Sequence, residues 1–506
     1  MELSIEPSVS TLLARVSRFL SGQGIKAYLT GGFVRDWLME REAGDIDIAV
    51  AGDALETAQS LTAELGGRYV PLDETNRIAR VVLNDEATPS GEKLMLDFTS
   101  FKGGIEDDLG RRDFTINAIA IDIEEFVRQP QSPALIDPFH GRDDLAAKLI
   151  RVVSAEAFQS DPVRLLRAVR LASELDFSID KETEARLRQS AGLIGDVAGE
   201  RVREELLRRL AKPRAGRFLA YLDEVGLLTA MIPELALAVD VVQPKEHFWS
   251  VLAHSIKTVD AVEFLLRQGE WEYADDAVLA AVPWTDELAE HFNQEVSHGS
   301  TRGAMLKLTA LLHDIAKPQT RAYDAAGRMR FLGHPQAGAE MAADILGRLR
   351  FSSKEIKLVE LLVENHLRPT QMSQQGLPSH RAIYRYFRDT GEAGIDIFFL
   401  SLADHLATRG PNLEMAGWQE HAATVSYVLG RRFEEETLTR PPKLVDGYDI
   451  MECFSLKPGP RIGEMLEVVR EAQAGGEVST REEALAYLER LPASSLSGDE
   501  QNSGSR

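Results

Sequence analysis

Two patterns of apolar positions divide this chain. Up to about residue 145 short alternating runs take turns with longer runs of helical period, and after Leu145 the helical period prevails almost throughout. Ser8 to Leu20 predicts an opening amphipathic helix, Ile25 to Thr30 a short strand, and Val34 to Glu40 a helix leaving Gly31-Gly32. In Asp45-Ile46-Asp47-Ile48-Ala49-Val50 the alternation is strand-like, so Asp45 and Asp47 share one face while Ile46 and Ile48 face a core. Leu94 to Phe98 is a further apolar strand, interrupted by Asp97. The turn-rich run Asn84 to Lys93 predicts an exposed hairpin link, and Asp137-Pro138-Phe139-His140-Gly141 an exit from the sheet region. Near the end, helices are predicted over Ile462 to Glu471 and Arg481 to Leu491, followed by a polar, disordered tail from Ser494 to Arg506.

Composition narrows the class. A chain of 506 residues with 44% hydrophobic content exceeds what one core usually supports, so three or four domains are expected. The single cysteine, Cys453, excludes a disulfide framework and suits a reducing cytosol. No apolar run has the length of a membrane span and no basic-then-apolar leader is visible, so the expectation is a cytoplasmic protein with no membrane partner. A formal charge of −23, from 57 basic against 80 acidic residues, repels polyanions overall, so any RNA contact must be local. Arg201, Arg203, Arg208 and Arg209 lie in a basic stretch that offers such a contact, although the same spacing suits Arg–Glu pairs along a solvated helix.

The candidate chemistry is concentrated in Gly31-Gly32-Phe33-Val34-Arg35-Asp36 and the Asp45-Ile46-Asp47 that follows. Amides at a helix start face an incoming anion, and glycine leaves room for phosphates to approach the backbone. Paired carboxylates repel unless a divalent cation lies between them, and hard oxygen ligands suit Mg²⁺, which also bridges triphosphate oxygens. Asp97 is expensive to bury unpaired, so it is expected to be a third ligand or the base for an attacking hydroxyl. Asp-x-Asp alone is common on exposed strands. Joined to the glycines, Arg35 and the later Arg111-Arg112-Asp113-Phe114-Thr115-Ile116-Asn117-Ala118, it points to nucleotidyl transfer.

Asp108 ahead of Arg111-Arg112-Asp113, and then Asp161-Pro162-Val163-Arg164-Leu165-Leu166-Arg167-Ala168, complete an order of motifs. Over residues 25 to 235 this order resembles the class II tRNA nucleotidyltransferase and bacterial poly(A) polymerase family. The resemblance implies an α+β fold, with an N-terminal polymerase-β-like nucleotidyltransferase domain followed by all-α neck and RNA-binding domains. It implies template-independent addition of C or A to RNA 3′ ends, with tRNA as partner and CTP and ATP as substrates. It also implies that Gly31, Gly32 and Arg35 grip the triphosphate, that Arg112 and Asp113 meet the ribose, and that Asp108 lies in a flexible stretch beside the nucleotide. Gly199 to Leu206 resembles the family's later Glu-Arg helix, which supports the pocket and neck.

Nucleotide choice is expected at Asp161 and Arg164, with Arg167 in the same set. Cytosine and adenine each present an amino donor beside a ring-nitrogen acceptor, so one acceptor and one donor serve both bases and refuse uracil and guanine. Capping and first-turn proline explain Asp161-Pro162 equally well as local structure. The family usually has glutamate before this aspartate; here Ser160 stands there, so a carboxylate that would brace Arg164 is missing.

A second constellation follows. His254, His313-Asp314 and Asp404 are similar in order to the ligands of the HD phosphohydrolase superfamily, which implies a site for Ni²⁺, Mn²⁺, Fe or Mg²⁺. His334 and His366 are candidates for a second metal or a phosphate contact. The expected organisation is a catalytic domain over 1–145, a nucleotide-selecting neck over 146–236, an HD domain over 237–440 and a C-terminal segment over 441–506. The leading expectation is addition of CCA, or part of it, to tRNA by a two-metal mechanism. The competing ones are a poly(A) polymerase, an HD phosphohydrolase with an inactive polymerase half, and a noncatalytic RNA-binding module.

Overall fold

The computed structural model describes residues 6–42, 44–83, 94–373, 376–434 and 442–491, so the expected link Asn84 to Lys93 and tail Ser494 to Arg506 lie outside the described residues. The chain forms two compact units, 1–205 with 221–231, and 206–220 with 232–506.

The first unit opens with α1 (Pro7–Gly22), β1 (Ala27–Thr30), α2 (Gly31–Leu38), β2 (Ile46–Val50) and α3 (Ala54–Leu65). β3 (Arg68–Asp73), β4 (Ile78–Leu83), β5 (Leu94–Ser100) and β6 (Ile121–Asp122) complete a six-stranded sheet in the order β3-β4-β5-β2-β1-β6. Only β2 and β5 run parallel; the other neighbours are antiparallel. One sheet face packs on the helices: Ile46, Ile48 and Phe98 join Leu13, Val16 and Leu20 of α1 and Phe33 and Trp37 of α2 in a single core. Asp53 caps α3 by accepting the amides of Leu55 and Glu56.

The register decides what the opposite face carries. Thr30 pairs with Asp47, Asp47 with Asp97, and Asp97 with Arg80, so four polar residues form one row across β1, β2, β5 and β4. Directly paired residues point to the same face of a sheet, which makes this row continuous. The helix after the glycines begins at Gly31 rather than at Val34 as the pattern predicted, because Thr30 is extended and Gly31 takes up a φ of 66°. Beyond the sheet the unit is helical, including Arg164–Leu175 and Lys181–Ser190, with one small parallel pairing of Leu149–Ile150 with Ser178–Ile179 that the helical pattern did not announce.

The second unit is built on helices Val251–Leu265, Arg302–Leu312, His334–Arg348, Ser353–Asn365 and Ala393–Arg409. Helix Val251–Leu265 is buried on nearly every side, as its almost unbroken apolar composition requires. Two short hairpins, Glu295–Ser297 with Ser300–Thr301 and Arg321–Tyr323 with Met329–Phe331, interrupt the helices. Helices Gly447–Phe454, Pro460–Ala474 and Arg481–Arg490 share a separate apolar cluster around Ile450, Met465, Val469 and Leu488. Among the described residues no helix is long and apolar enough to cross a membrane.

Candidate active site and metal centre

In the first unit, the polar row of the sheet lies beside the start of α2. The Gly32 amide donates to Asp47 Oδ2 at 2.9 Å. A Cβ on Gly31 would stand 2.5 Å from the same oxygen and 3.0 Å from Arg112 Nη1, so this position needs glycine both for space and for its positive φ. The Gly32 N–H, expected to face a phosphate, is engaged by Asp47 in this structure. Burial raises the Asp47 carboxyl to about 6; Asp97 and Asp45 add to the rise, while Arg112 and the Gly32 amide oppose it. Three carboxylates on one face are thus short of positive charge.

Arg80, which the sequence reading overlooked, supplies part of it. Its Nε donates to Asp97 Oδ1 and its Nη2 to Asp97 Oδ2, both at 2.7 Å, and Nη2 also reaches Asp45 Oδ2 at 3.0 Å. The side chains are 25% exposed for Arg80, 16% for Asp97 and 39% for Asp45, so the group opens to solvent on the Asp45 side. Arg112 lies at the other end, donating from Nη2 to Thr30 Oγ1 at 2.8 Å and pairing with Asp108 at 3.2 Å. Asp108 itself falls in helix Ile105–Leu109.

Arg35 and Asp113, expected at the triphosphate and the ribose, each have partners within the site. Arg35 holds Asp36 through Nε and Nη2 at 2.9 and 2.8 Å and Asn117 Oδ1 through Nη1 at 3.0 Å. Asp113 is buried, and both its oxygens are engaged: Oδ1 accepts from the Phe114 amide and Asn117 Nδ2, and Oδ2 from Arg167 Nη1 at 3.0 Å. Burial would push Asp113 up, but Arg167 and Asn117 more than offset this and hold it below the usual carboxylate range. Arg167 is in turn fixed by Glu205.

In the segment expected to choose the nucleotide, Arg164 is held by groups other than the absent glutamate. Asp161 is gripped by Arg201 through two hydrogen bonds of 2.8 and 2.9 Å, while Arg164 Nε lies 3.9 Å from Asp161. Arg164 Nη2 donates to the Arg111 carbonyl at 2.7 Å, and Nη1 lies 3.3 Å from Ser160 Oγ and 3.4 Å from the Ala157 carbonyl. Backbone carbonyls and the serine hydroxyl therefore do the bracing that a glutamate was expected to do. Of the four arginines put forward for RNA, Arg201 is committed to Asp161, and Arg209 is 1% exposed with Nη2 on the Arg214 carbonyl. Arg208 is exposed and Arg203 half-buried.

In the second unit, the four expected residues converge. His254 Nε2 stands 3.0 Å from Asp404 Oδ1 and 3.5 Å from Asp314 Oδ2, and His313 Nε2 stands 3.2 Å from Asp314 Oδ2. His334 and His366 approach the other Asp314 oxygen at 3.4 and 3.9 Å, so the donor atoms form two groups sharing one carboxylate. The tautomers follow from the backbone. His313, His334 and His366 each place Nδ1 against the carbonyl three residues earlier, at 2.8, 2.7 and 2.6 Å. A carbonyl can only accept, so Nδ1 carries the hydrogen and Nε2 presents a lone pair to the cluster, as metal ligation requires. The buried Nε2 atoms of His254 and His313 have no hydrogen-bond partner, which fits a cation between them. Burial would lower the His313 imidazole, but Asp314 and Asp404 overcome it and hold it up at about 10, so that without a cation a proton occupies the Nε2 lone pair and supplies the positive charge this pocket demands. Lys317 Nζ, 2.6 Å from Asp314 Oδ2 and donating to Gln243 Oε1, closes one side.

A polymerase-type acid row on a sheet and a histidine–aspartate cluster among helices define a nucleotidyltransferase head joined to an HD unit. Family models agree: "Poly A polymerase head domain" matches residues 27–151, "Probable RNA and SrmB-binding site of polymerase A" residues 176–238, and "HD domain" residues 284–409. The chain is 33% identical to an A-adding tRNA nucleotidyltransferase of Deinococcus radiodurans, over 92% of this chain and 95% of that one. It is 34% identical to a CC-adding tRNA nucleotidyltransferase of Thermus thermophilus, over 91% and 93%. The fold is also that of the Thermotoga maritima CCA-adding enzyme solved with tRNA, at a TM-score of 0.59 and 22% identity, covering 96% and 98% of the two chains. The chain belongs to the tRNA nucleotidyltransferase and poly(A) polymerase family.

The Asp113 arrangement yields a pH dependence. A carboxyl lowered in the folded state contributes stability that is present above its unfolded value, near 4, and is lost as pH falls through the folded value. Asp113→Asn is expected to cost about 3 kcal/mol at pH 7, since it leaves Arg167 without its buried partner. In denaturant titrations the gap from the unsubstituted protein should close below about pH 4; a gap that stays constant down to pH 3 would contradict this.

Proposed function

We propose that this chain adds part of the tRNA CCA end, either CC or A, by transferring a nucleotidyl group from CTP or ATP to the RNA 3′-hydroxyl. The observation that carries nucleotidyl transfer is the row of Asp47 and Asp97, with Asp45 beside it, at the start of α2. The restriction to part of the end is supported by the two relatives above, each matched over nine-tenths of both lengths and each named for a partial addition. The 3′ oxygen forms a bond to the α-phosphorus as the bond to pyrophosphate breaks. A divalent ion held by Asp45 and Asp47, with Asp97 adjacent, would acidify the attacking hydroxyl and offset triphosphate charge when bound; the all-oxygen donor set suits Mg²⁺.

The chain's own residues set up the rest. Gly31 keeps the approach to Asp47 clear, and the Gly32 amide fixes which carboxylate oxygen faces the acid row. Arg112, tied to Thr30 and Asp108, holds positive charge beside Asp47. Asp161, oriented by Arg201, accepts from the exocyclic amine of C or A, and Arg164 donates to the ring nitrogen. Arg201, Arg203, Arg208 and Arg209 stay the candidates for RNA phosphate, with Arg208 on the exposed side of its helix. The domain division 1–145, 146–236, 237–440 and 441–506 is retained for these roles, and the lone cysteine fits a cytoplasmic enzyme.

For the second unit we propose metal-dependent phosphohydrolase activity. The fixed Nε2 lone pairs of His313, His334 and His366 beside Asp314 support it, with His254, His313, Asp314 and Asp404 as ligands for Ni²⁺, Mn²⁺, Fe or Mg²⁺.

The test supplies labelled CTP or ATP to tRNAs ending at the discriminator base, at C and at CC. A CC-adding enzyme extends the first two with C only; an A-adding enzyme extends only the CC form, by one A. Completion of CCA on all three, or long A tails, contradicts partial addition. Asp45→Ala with Asp47→Ala should reduce incorporation by more than a thousandfold while leaving tRNA affinity within about twofold in a filter-binding assay, because two-metal chemistry loses both shared ligands. Arg164→Ala is expected to bring UTP and GTP incorporation to within about tenfold of CTP or ATP, the loss of one base-reading donor; an unchanged preference would remove Arg164 from base selection. His313→Ala should abolish Mn²⁺- or Ni²⁺-dependent cleavage of a 2′,3′-cyclic phosphate and leave nucleotide addition intact.

A further inference from the structure

Arg80 is a cation in the place where a metal site needs one. It is held to Asp97 by two hydrogen bonds and to Asp45 by one, and all three side chains lie on the face that carries Asp47. The two attachments are unequal. The pair with Asp97 is two-pronged between residues directly opposite on β4 and β5, at 2.7 Å on both prongs and only 16% exposed on the Asp97 side. Two parallel charge-assisted bonds of this kind are among the strong ones. The bond to Asp45 is single, 3.0 Å long and shares Nη2 with Asp97, on a carboxylate 39% exposed. A guanidinium can let go of Asp45 and keep Asp97.

We infer that Arg80 is a built-in counter-cation: it neutralises the acid row before metal arrives, and an incoming divalent ion takes Asp45 from it while Asp97 stays in its grip. This rests on the nucleotidyl-transfer reading and assigns Arg80 a positioning role within it. Two consequences follow. Without Arg80 the three carboxylates face one another with less opposing charge, so the row destabilises the sheet and attracts a dication more strongly. With Arg80 the apparent metal affinity is weakened, because binding must displace one of its bonds.

The experiment uses the full chain and Mn²⁺ as probe, with free Mn²⁺ followed by electron paramagnetic resonance. The sites scored are those that disappear in the double variant Asp45→Asn with Asp47→Asn, which separates this centre from the histidine cluster. If that double variant loses no Mn²⁺ site, the nucleotidyl-transfer reading itself fails. Given a site, Arg80→Gln and Arg80→Met should bind Mn²⁺ there at least about fivefold more tightly than the unsubstituted chain, as removal of a unit charge a few ångströms away requires. Arg80→Lys, which keeps the charge, should stay within about twofold on the same argument. In parallel, the rise in melting temperature on replacing EDTA by millimolar Mg²⁺ should be larger in Arg80→Gln than in the unsubstituted chain. A neutral variant that is unfolded in EDTA but folds with Mg²⁺ supports the inference. Unchanged or weaker Mn²⁺ binding in the neutral variants, or variants that stay unfolded with Mg²⁺ present, would overturn it.

Discussion

Like charges set side by side on a β-sheet repel, and the first unit is organised around that repulsion. Asp47 and Asp97 are directly paired across parallel strands, and Asp45 lies two residues along the same face. An ordinary sheet would lose stability from this arrangement. Here each carboxylate is given a donor from a different part of the chain: the Gly32 amide for Asp47, and Arg80 for Asp97 and Asp45. The glycine at position 31 is a condition of the first of these, since any side chain there would strike the Asp47 oxygen. The site is thus preorganised for a dication by the groups that stabilise it without one.

The second unit meets the same problem with other means. Its acids, Asp314 and Asp404, are surrounded by imidazoles instead of guanidinium groups. Local backbone sets the imidazole tautomers, because each of three histidines binds the carbonyl three residues before it and so turns Nε2 to the cluster. Lys317 pairs with an acid of this cluster, as Arg80 does with those of the other. One unit gathers nitrogen and oxygen donors and the other oxygen donors alone, a difference in ligand softness to which divalent ions respond.

Much of this was legible in the sequence, and the exceptions have physical causes. The acid pair could be placed because strand alternation fixes which residues share a face, and the histidine cluster because four ordered ligands are rare by chance. Arg80 escaped notice although it is a lone charge in an apolar strand, since its partner Asp97 follows on the next strand and the pairing is set by sheet register, which composition does not reveal. For Asp113 and Arg35 a motif gives the place along the chain and not the direction of the side chain, and in the structure both turn toward Asn117. For a related reason, net charge along a helix does not show that Arg201 is bound to Asp161 or that Arg209 is interior.

The central claim is that Asp45 and Asp47 together hold the catalytic cation. Crystals grown with Mn²⁺ and an unreactive CTP or ATP analogue, measured at the manganese absorption edge, address it directly. The account predicts an anomalous peak at bonding distance, about 2.0–2.3 Å, from oxygens of both carboxylates, with the triphosphate beside it at the start of α2. A triphosphate docked elsewhere, with no peak between these two side chains, would contradict it.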